Sequence, residues 1–131
     1  MDKVNDITRL IASHDINGVL STLVKTPDII KYLDDQGRTL LHWAVVSDSK
    51  RLTKELLRRG CSPFEHKDQW GDTPFHLACF YEFTEILELM LPLVPTEKLK
   101  LFCFDDDPDR RKYVQKACLT ELKQRIVEGE E

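Results

Sequence analysis

Two stretches of this chain echo each other 34 residues apart, and this echo limits the fold more than any other feature of the sequence. Gly37-Arg38-Thr39-Leu40-Leu41-His42-Trp43-Ala44 returns as Gly71-Asp72-Thr73-Pro74-Phe75-His76-Leu77-Ala78, with glycine, threonine, histidine and alanine all at one offset. A period of roughly 20–50 residues is the mark of stacked supersecondary units, each too small to bury its apolar face alone. The segment after each motif reads as helix. After Ala78, the residues Ile86, Leu89, Met90 and Leu93 are spaced i, i+3, i+4, i+7 and predict one helical face. After Ala44 comes a segment ending in Arg58-Arg59-Gly60. Gly60 stands where a left-handed residue would end that helix, and the two arginines suit its negative end.

The motif residues have separate physical tasks. Thr39 and Thr73 are placed to cap the first helix of each unit, and Pro74 fits the first helical position. Ala44 and Ala78 are small enough for two helices to approach closely. Thr73-Pro74-Phe75-His76-Leu77-Ala78 resembles the signature of the ankyrin repeat, T-P-L-H-x-A. Thr39-Leu40-Leu41-His42-Trp43-Ala44 matches it except that Leu40 takes the place of proline. The resemblance implies that His42 and His76 are structural, bonding within and between repeats, rather than metal ligands or catalysts. His14 and His66 match no position of the motif.

A weaker repeat precedes these two. Val19, Leu23 and Val24 lie 33 residues before Leu52, Leu56 and Leu57, which predicts helices over residues 7–14 and 18–25. Terminal repeats are atypical because one face meets water, so this unit is expected to be the N-terminal cap. Some departures from the family pattern stand out. The 34-residue period puts one extra residue into the loop 61–68, which is expected to bulge. The Gly-His that the family places between its two helices is replaced by Asp48-Ser49 and Glu82-Phe83, so those turns are expected to differ.

Residues 96–131 carry no repeat signature. Thr96 is a candidate N-cap for a short helix over residues 96–104. Asp107-Pro108 reads as N-cap and first residue of a second helix, whose apolar face is Val114, Ala117, Cys118, Leu122 and Ile126. That helix is expected to cover the open end of the stack. A partner-binding helix and a degenerate fourth repeat are the alternatives. Arg110, Arg111 and Lys112 occupy its first turn, where the helix dipole disfavours positive charge. The three preceding aspartates are expected to neutralise them, and an acidic partner is the other reading. Residues 129–131 are expected to fray.

The expected architecture is therefore an all-α ankyrin solenoid of about three helix-turn-helix repeats, near residues 4–36, 37–70 and 71–95. Residues 96–131 form a C-terminal helical cap within the same domain. At 131 residues the chain suits one domain.

Composition narrows the function. The net charge is −4, and lysines and arginines are scattered among acids, without the basic stripe of a nucleic-acid binder. No apolar run approaches the roughly 18 residues needed to span a membrane. The N-terminus lacks a signal-peptide core. These features point to the cytoplasm, with the nucleus as a second location. Cys61, Cys79, Cys103 and Cys118 form no C-x-x-C pair and read as free, mostly buried thiols. No phosphate-binding glycine loop, H-E-x-x-H or G-x-S-x-G motif is present, so no enzyme, cofactor or metal is expected.

Stacked repeats instead build an extended concave surface suited to binding proteins. The resemblance implies that the finger tips and the exposed part of each first helix read the partner. Here these are Asp35, Gln36, Arg38, Val46 and Ser47 in one repeat, and Gln69, Trp70, Asp72, Phe80 and Tyr81 in the next. The second set is rich in aromatics, the side chains most often found as binding hot spots. The expected function is that of an adaptor, inhibitor or assembly factor, monomeric on its own. The alternative is an ankyrin regulatory module of a larger enzyme or of a lipid- or acyl-CoA-binding protein. The initial methionine and the charged end favour a short complete chain over that alternative.

Overall fold

The computed structural model describes residues 9–129 apart from Ala12 and Tyr32. The expected start of the first helix at residues 7–8, and Glu130 and Glu131 of the expected frayed end, lie outside the described residues. Residues 9–11 are helical, and α1 (Ile16–Lys25) comes after them. The next pair is α2 (Leu40–Val46) and α3 (Lys50–Arg58), and the third is α4 (Pro74–Phe80) and α5 (Thr84–Met90). Then come α6 (Thr96–Phe102) and the long α7 (Pro108–Val127). The described residues contain helices, turns and loops, and no strand. The protein is an all-α ankyrin solenoid.

The stack has two layers. Inner helix α2 packs on inner helix α4, and outer helix α3 packs on both α1 and α5. Ala44 and Ala78 are wholly buried, as their small size requires where helices meet. Leu40, Leu41, Leu52, Leu56, Phe75, Ile86 and Met90 complete a core shared by neighbouring repeats.

Local chemistry explains the helix ends. Thr39 accepts from the His42 N–H at 3.3 Å, and Thr73 accepts from the His76 N–H at 3.2 Å. Each histidine Nδ1 in turn accepts from the threonine N–H, at 3.0 Å and 3.1 Å, closing a capping box on both inner helices. Pro74 sits at the first position of α4. Gly60 ends α3 in the left-handed region at φ +97°.

The three inter-helix turns share one backbone shape. His14, Asp48 and Glu82, spaced 34 residues apart, adopt φ of 62°, 54° and 56°. In each turn the next residue's N–H donates back five residues: Asp15 to Leu10 at 2.9 Å, Ser49 to Ala44 at 3.0 Å, and Phe83 to Ala78 at 3.1 Å. His14 therefore has a position in the repeat after all. It is defined by backbone shape rather than by side-chain identity.

Val24 is exposed, because α1 turns Val19 and Leu23 fully inward with Ile16 and Leu20 partly buried beside them. Three sequence expectations are corrected. Leu93 is half-exposed, because α5 ends at Met90 and a tighter 3₁₀ turn, Leu91–Leu93, carries the chain away. Thr96 does not cap α6. It is the first helical residue, behind Pro95, and its hydroxyl accepts from Arg125 Nη1 at 2.9 Å. Ile126 is exposed, and Arg125 is buried in its stead.

The C-terminal helices close the stack. Helix α7 packs on α4 and on α6, and Phe102 of α6 stacks on Phe75 with ring centres 5.2 Å apart. Asp107 caps α7, accepting from Asp109 N at 3.0 Å and Arg110 N at 3.3 Å. Arg125 ties the far end down by donating to Leu91 O at 2.9 Å and Val94 O at 2.8 Å. A buried cation is tolerated here because carbonyl oxygens and the Glu121 carboxylate, 2.9 Å away, satisfy its fork.

Candidate functional site

The site starts at the fingers. Asp34 bends the second-repeat finger by accepting from Gln36 N at 2.9 Å and Arg38 N at 2.8 Å. Asp68 does the same 34 residues on, accepting from Trp70 N at 3.0 Å and Asp72 N at 2.9 Å. Gly37 and Gly71 supply the left-handed φ that these turns need, +76° and +86°. The fingers are joined by a Gln69 N–H to Gln36 O bond of 2.8 Å.

Arg38 crosses from one finger to the next. Its Nε lies 3.3 Å from Asp68 Oδ2, and its guanidinium sits 5.6 Å from the Trp43 ring centre and 5.0 Å from that of Trp70. Trp43 is itself held by donating to Asp34 Oδ2 at 2.7 Å. Trp70 thus rests on a supported cation while remaining 52% exposed.

The ends of the inner helices supply the second wall. Phe80 is 55% and Tyr81 45% exposed, and their rings meet edge to face at 5.0 Å. Phe80 also meets Tyr113 of α7 edge to face at 5.1 Å, and Tyr81 stacks on Phe83 at 5.4 Å. The result is an open groove of about 200 Å³ lined by Arg38, Trp70, Asp72, Leu77, Phe80, Tyr81 and Tyr113. Rings supported edge to edge lose little freedom when a ligand arrives, which suits them to binding.

Five of the ten candidate residues converge here: Arg38, Trp70, Asp72, Phe80 and Tyr81. Asp35 and Gln69 are exposed and Gln36 half-buried, all on the finger tips and outside the groove lining. Val46 and Ser47 are half-buried at the end of α2, where Val46 packs on the core and Ser47 caps the helix. Asp72 is not a free carboxylate. Its Oδ1 accepts from Arg110 Nε at 2.9 Å and from the Tyr113 hydroxyl at 3.1 Å. Burial first, and then the Asp72 charge, push the Tyr113 phenol up. Leu77 and Tyr113 are lining residues that the sequence reading missed. Tyr113 sits four residues before Ala117, on the edge of the apolar stripe of α7, and that spacing was the available signal.

Arg110 is a stack anchor. Besides Asp72 it donates to Trp70 O at 2.8 Å, and it lies 3.6 Å from Asp105 and 3.7 Å from Asp107. Arg111 donates to Asp105 O at 3.3 Å. Of the three cations in the first turn of α7, Arg110 is the one that stands beside aspartate carboxylates, those of Asp72, Asp105 and Asp107.

The two motif histidines differ. The Thr39 N–H donates to His42 Nδ1, so His42 Nε2 carries the proton and donates to Asp72 O at 2.9 Å. His76 has the same tautomer but no carbonyl to meet. Its Nε2 lies 3.4 Å from Asp105 Oδ2, off the line of a hydrogen bond. Burial lowers both imidazoles and takes His76 down to about 4, against the upward pull of Asp105. Burial tends to raise Asp105, but the Asp107 N–H, Arg110 and His76 outweigh it and hold this carboxyl below its usual range.

All four cysteines are free, and Cys79, Cys103 and Cys118 are buried. Burial raises the Cys79 thiol and pushes Cys118 up to about 12, so neither is ionised near neutral pH. Among the described residues no group of three His, Cys, Asp or Glu is placed to hold a metal, and no helix is long and apolar enough to cross a membrane.

The ankyrin-repeat profile matches residues 36–69 and 70–92. With the capping boxes and the paired helices, this shows that these two segments are ankyrin repeats. It is 38% identical over 50 residues to NF-kappa-B inhibitor alpha of Sus scrofa, covering 38% of this chain and 16% of the inhibitor. It is 31% identical over 81 residues to a probable 26S proteasome regulatory subunit p28 of Saccharomyces cerevisiae, covering 59% of this chain and 36% of the subunit. It is 33% identical over 76 residues to serine/threonine-protein kinase 12 of Arabidopsis thaliana, covering 58% of this chain and 16% of the kinase. The chain thus spans about a sixth of the length of the inhibitor and of the kinase.

Proposed function

We propose that the chain is a non-catalytic adaptor, inhibitor or assembly factor whose protein partner docks on the fingers and the concave aromatic groove. Ankyrin stacks are protein-interaction scaffolds, and an inhibitor and a regulatory subunit stand among the relatives by name. The observation that carries the reading is the convergence of the exposed rings of Trp70, Phe80 and Tyr81 with the half-buried Tyr113 on one groove, each supported by a neighbour. Exposed aromatic clusters of this kind mark interaction sites more often than they mark idle surface. The remaining finger positions, Asp35, Gln36 and Gln69, would form the polar rim, and Val46 and Ser47 would lie at its edge. The protein would act in the cytoplasm, with the nucleus as a second location.

The test is affinity capture from the native cell, then calorimetry with the partner recovered. Trp70→Ala, and Phe80→Ala combined with Tyr81→Ala, should each weaken binding by roughly 1–3 kcal/mol, the range of interface hot spots. Unchanged affinity with both variants folded would reject the groove. The kinase match favours one second reading, a module within a larger enzyme. Comparing this chain with its full open reading frame separates the two.

A further inference from the structure

A second surface adjoins the first across Tyr113, at the place where the repeat pattern stops. Asp105 repeats the finger chemistry of Asp34 and Asp68 by accepting from the N–H two residues on, Asp107, at 2.9 Å. Helix α7 then packs on α4 as α4 packs on α2. In these respects α7 holds the inner-helix place of a fourth repeat. Among the described residues no outer helix comes after it. Helix α6 does not fill that place either. It lies on the finger side, where Lys98 sits 5.9 Å from the Phe64 ring.

The vacant outer place is an apolar groove of about 280 Å³ between α5 and α7. Cys79, Leu87, Leu91, Ala117 and the Tyr113 ring line it. Its two walls carry opposite charge. Glu82 and Glu88 stand on the α5 side, exposed and without an ion pair among the described residues, and Lys116 stands on the α7 side. The stack itself shows what α5 accepts as a neighbour. Its Glu85 meets Lys50 of α3 at 3.8 Å, and α3 is rich in basic residues: Lys50, Arg51, Lys54 and Arg58.

We propose that this groove seats an amphipathic helix of a partner protein, apolar where it faces Leu87, Leu91 and Ala117 and basic along the edge that faces Glu82 and Glu88. The partner helix completes the fourth repeat in trans. It buries the apolar strip and pairs the two free carboxylates, as α3 does on the other side of α5. This groove shares the Tyr113 ring with the concave groove but is otherwise lined by different residues, so a partner can use either or both.

The probe is a labelled helical peptide of about 14 residues, four turns, with a leucine stripe, lysines along one edge and glutamates along the other. A version with its charged edges exchanged and a scrambled version serve as controls. Fluorescence anisotropy against the full chain should show the basic-edged peptide binding at least tenfold tighter than either control. Glu88→Lys, an exposed position that leaves the fold intact, should weaken that peptide about tenfold and improve the exchanged one. Trp70→Ala should change neither. Equal binding of the scrambled peptide, or indifference to Glu88→Lys, overturns the proposal. So does a dimer in sedimentation velocity that Glu88→Lys dissociates, because the groove would then belong to a second copy of the chain.

Discussion

Between the second and third repeats, His42 donates to the Asp72 carbonyl and Arg38 reaches forward to Asp68. Between the third repeat and the C-terminal helices, His76 faces the Asp105 carboxylate and Arg110 reaches back to Asp72. Both junctions use a histidine, an arginine and aspartate-bent turns. In the first, the histidine bond ends on backbone, which any residue at position 72 would supply. In the second, that histidine bond is missing, and the junction depends on the particular side chains Asp105 and Arg110. A regular repeat interface is therefore generic and tolerant. The closing interface is specific, and acid reaches it more strongly, because burial lowers His76 to about 4.

The largest effect should come from removing the closing interface altogether. Deleting residues 105–131 exposes the face of α4 and takes away the wholly buried Val114 and Cys118, with Tyr113, Ala117 and Leu122 partly buried beside them. At roughly 1.5–3 kcal/mol per buried aliphatic side chain, the loss is on the order of 5 kcal/mol. Urea denaturation monitored by circular dichroism measures it. A truncated chain with unchanged midpoint would mean that α7 does not hold the stack closed.

Arg110 tests whether the second junction is the more specific. Arg110→Ala leaves Asp72 with only the Tyr113 hydroxyl and frees the Trp70 carbonyl, which should cost about 2–4 kcal/mol in losses of charged hydrogen bonds. Arg110→Lys should recover less than half, because an ammonium cannot serve both acceptors in one plane. Arg38→Ala should cost less, about 1–2 kcal/mol, since Arg38 has one carboxylate partner at 3.3 Å and two ring faces. Gly71→Val bears on the same corner. It forces a β-branched residue to φ +86° and drives its Cβ to 2.9 Å from the Arg110 guanidinium, so it should destabilise the finger and the junction together.

The second and third repeats were legible because their chemistry is local. A threonine three residues before a histidine, a proline at the first helical position and alanines where helices cross all announce themselves in one dimension. The turns at His14, Asp48 and Glu82 were not legible, because nothing in those three side chains signals a positive φ. Thr96 and Ile126 were misread for one shared reason. Arg125 is buried against Leu91, Val94 and Thr96, a contact across about 30 residues that helical periodicity cannot register. The groove was half legible: fingers and helix ends are readable by position, whereas Tyr113 joins them only through the packing of α7 on α4.

Acid should act mainly through His76. Its folded pKa of about 4 lies below the ordinary value of 6.5, so the unfolded chain takes up a proton first. Stability is complete above about 6.5 and falls as pH drops toward 4. Between pH 7 and pH 5 the fall is about 2 kcal/mol from this residue, and His42, also lowered by burial, adds to it. Urea midpoints at the two pH values measure the difference. His76→Gln should flatten the dependence whatever it does to stability at pH 7, and an equally steep profile would move the titration to other groups.

Asp105→Asn should give the smallest change, and it separates the two junctions most cleanly. Asparagine keeps the Oδ1 acceptor for the Asp107 N–H and loses the charge that faces His76 and Arg110. At pH 7 the imidazole is neutral, so only the Arg110 contact at 3.6 Å is weakened, and Arg110 keeps Asp72. Stability at neutral pH should fall by less than about 1 kcal/mol, as for a partly solvated ion pair. The histidine resonances should report the larger consequence. Asp105 is the strongest influence raising His76, so without it the His76 pKa moves below about 4, while His42, which faces a carbonyl of the next finger, does not shift. A shift of both histidines would mean that the whole stack had relaxed. A shift of neither would mean that Asp105 and His76 are not coupled in solution and that the closing junction rests on Arg110 alone.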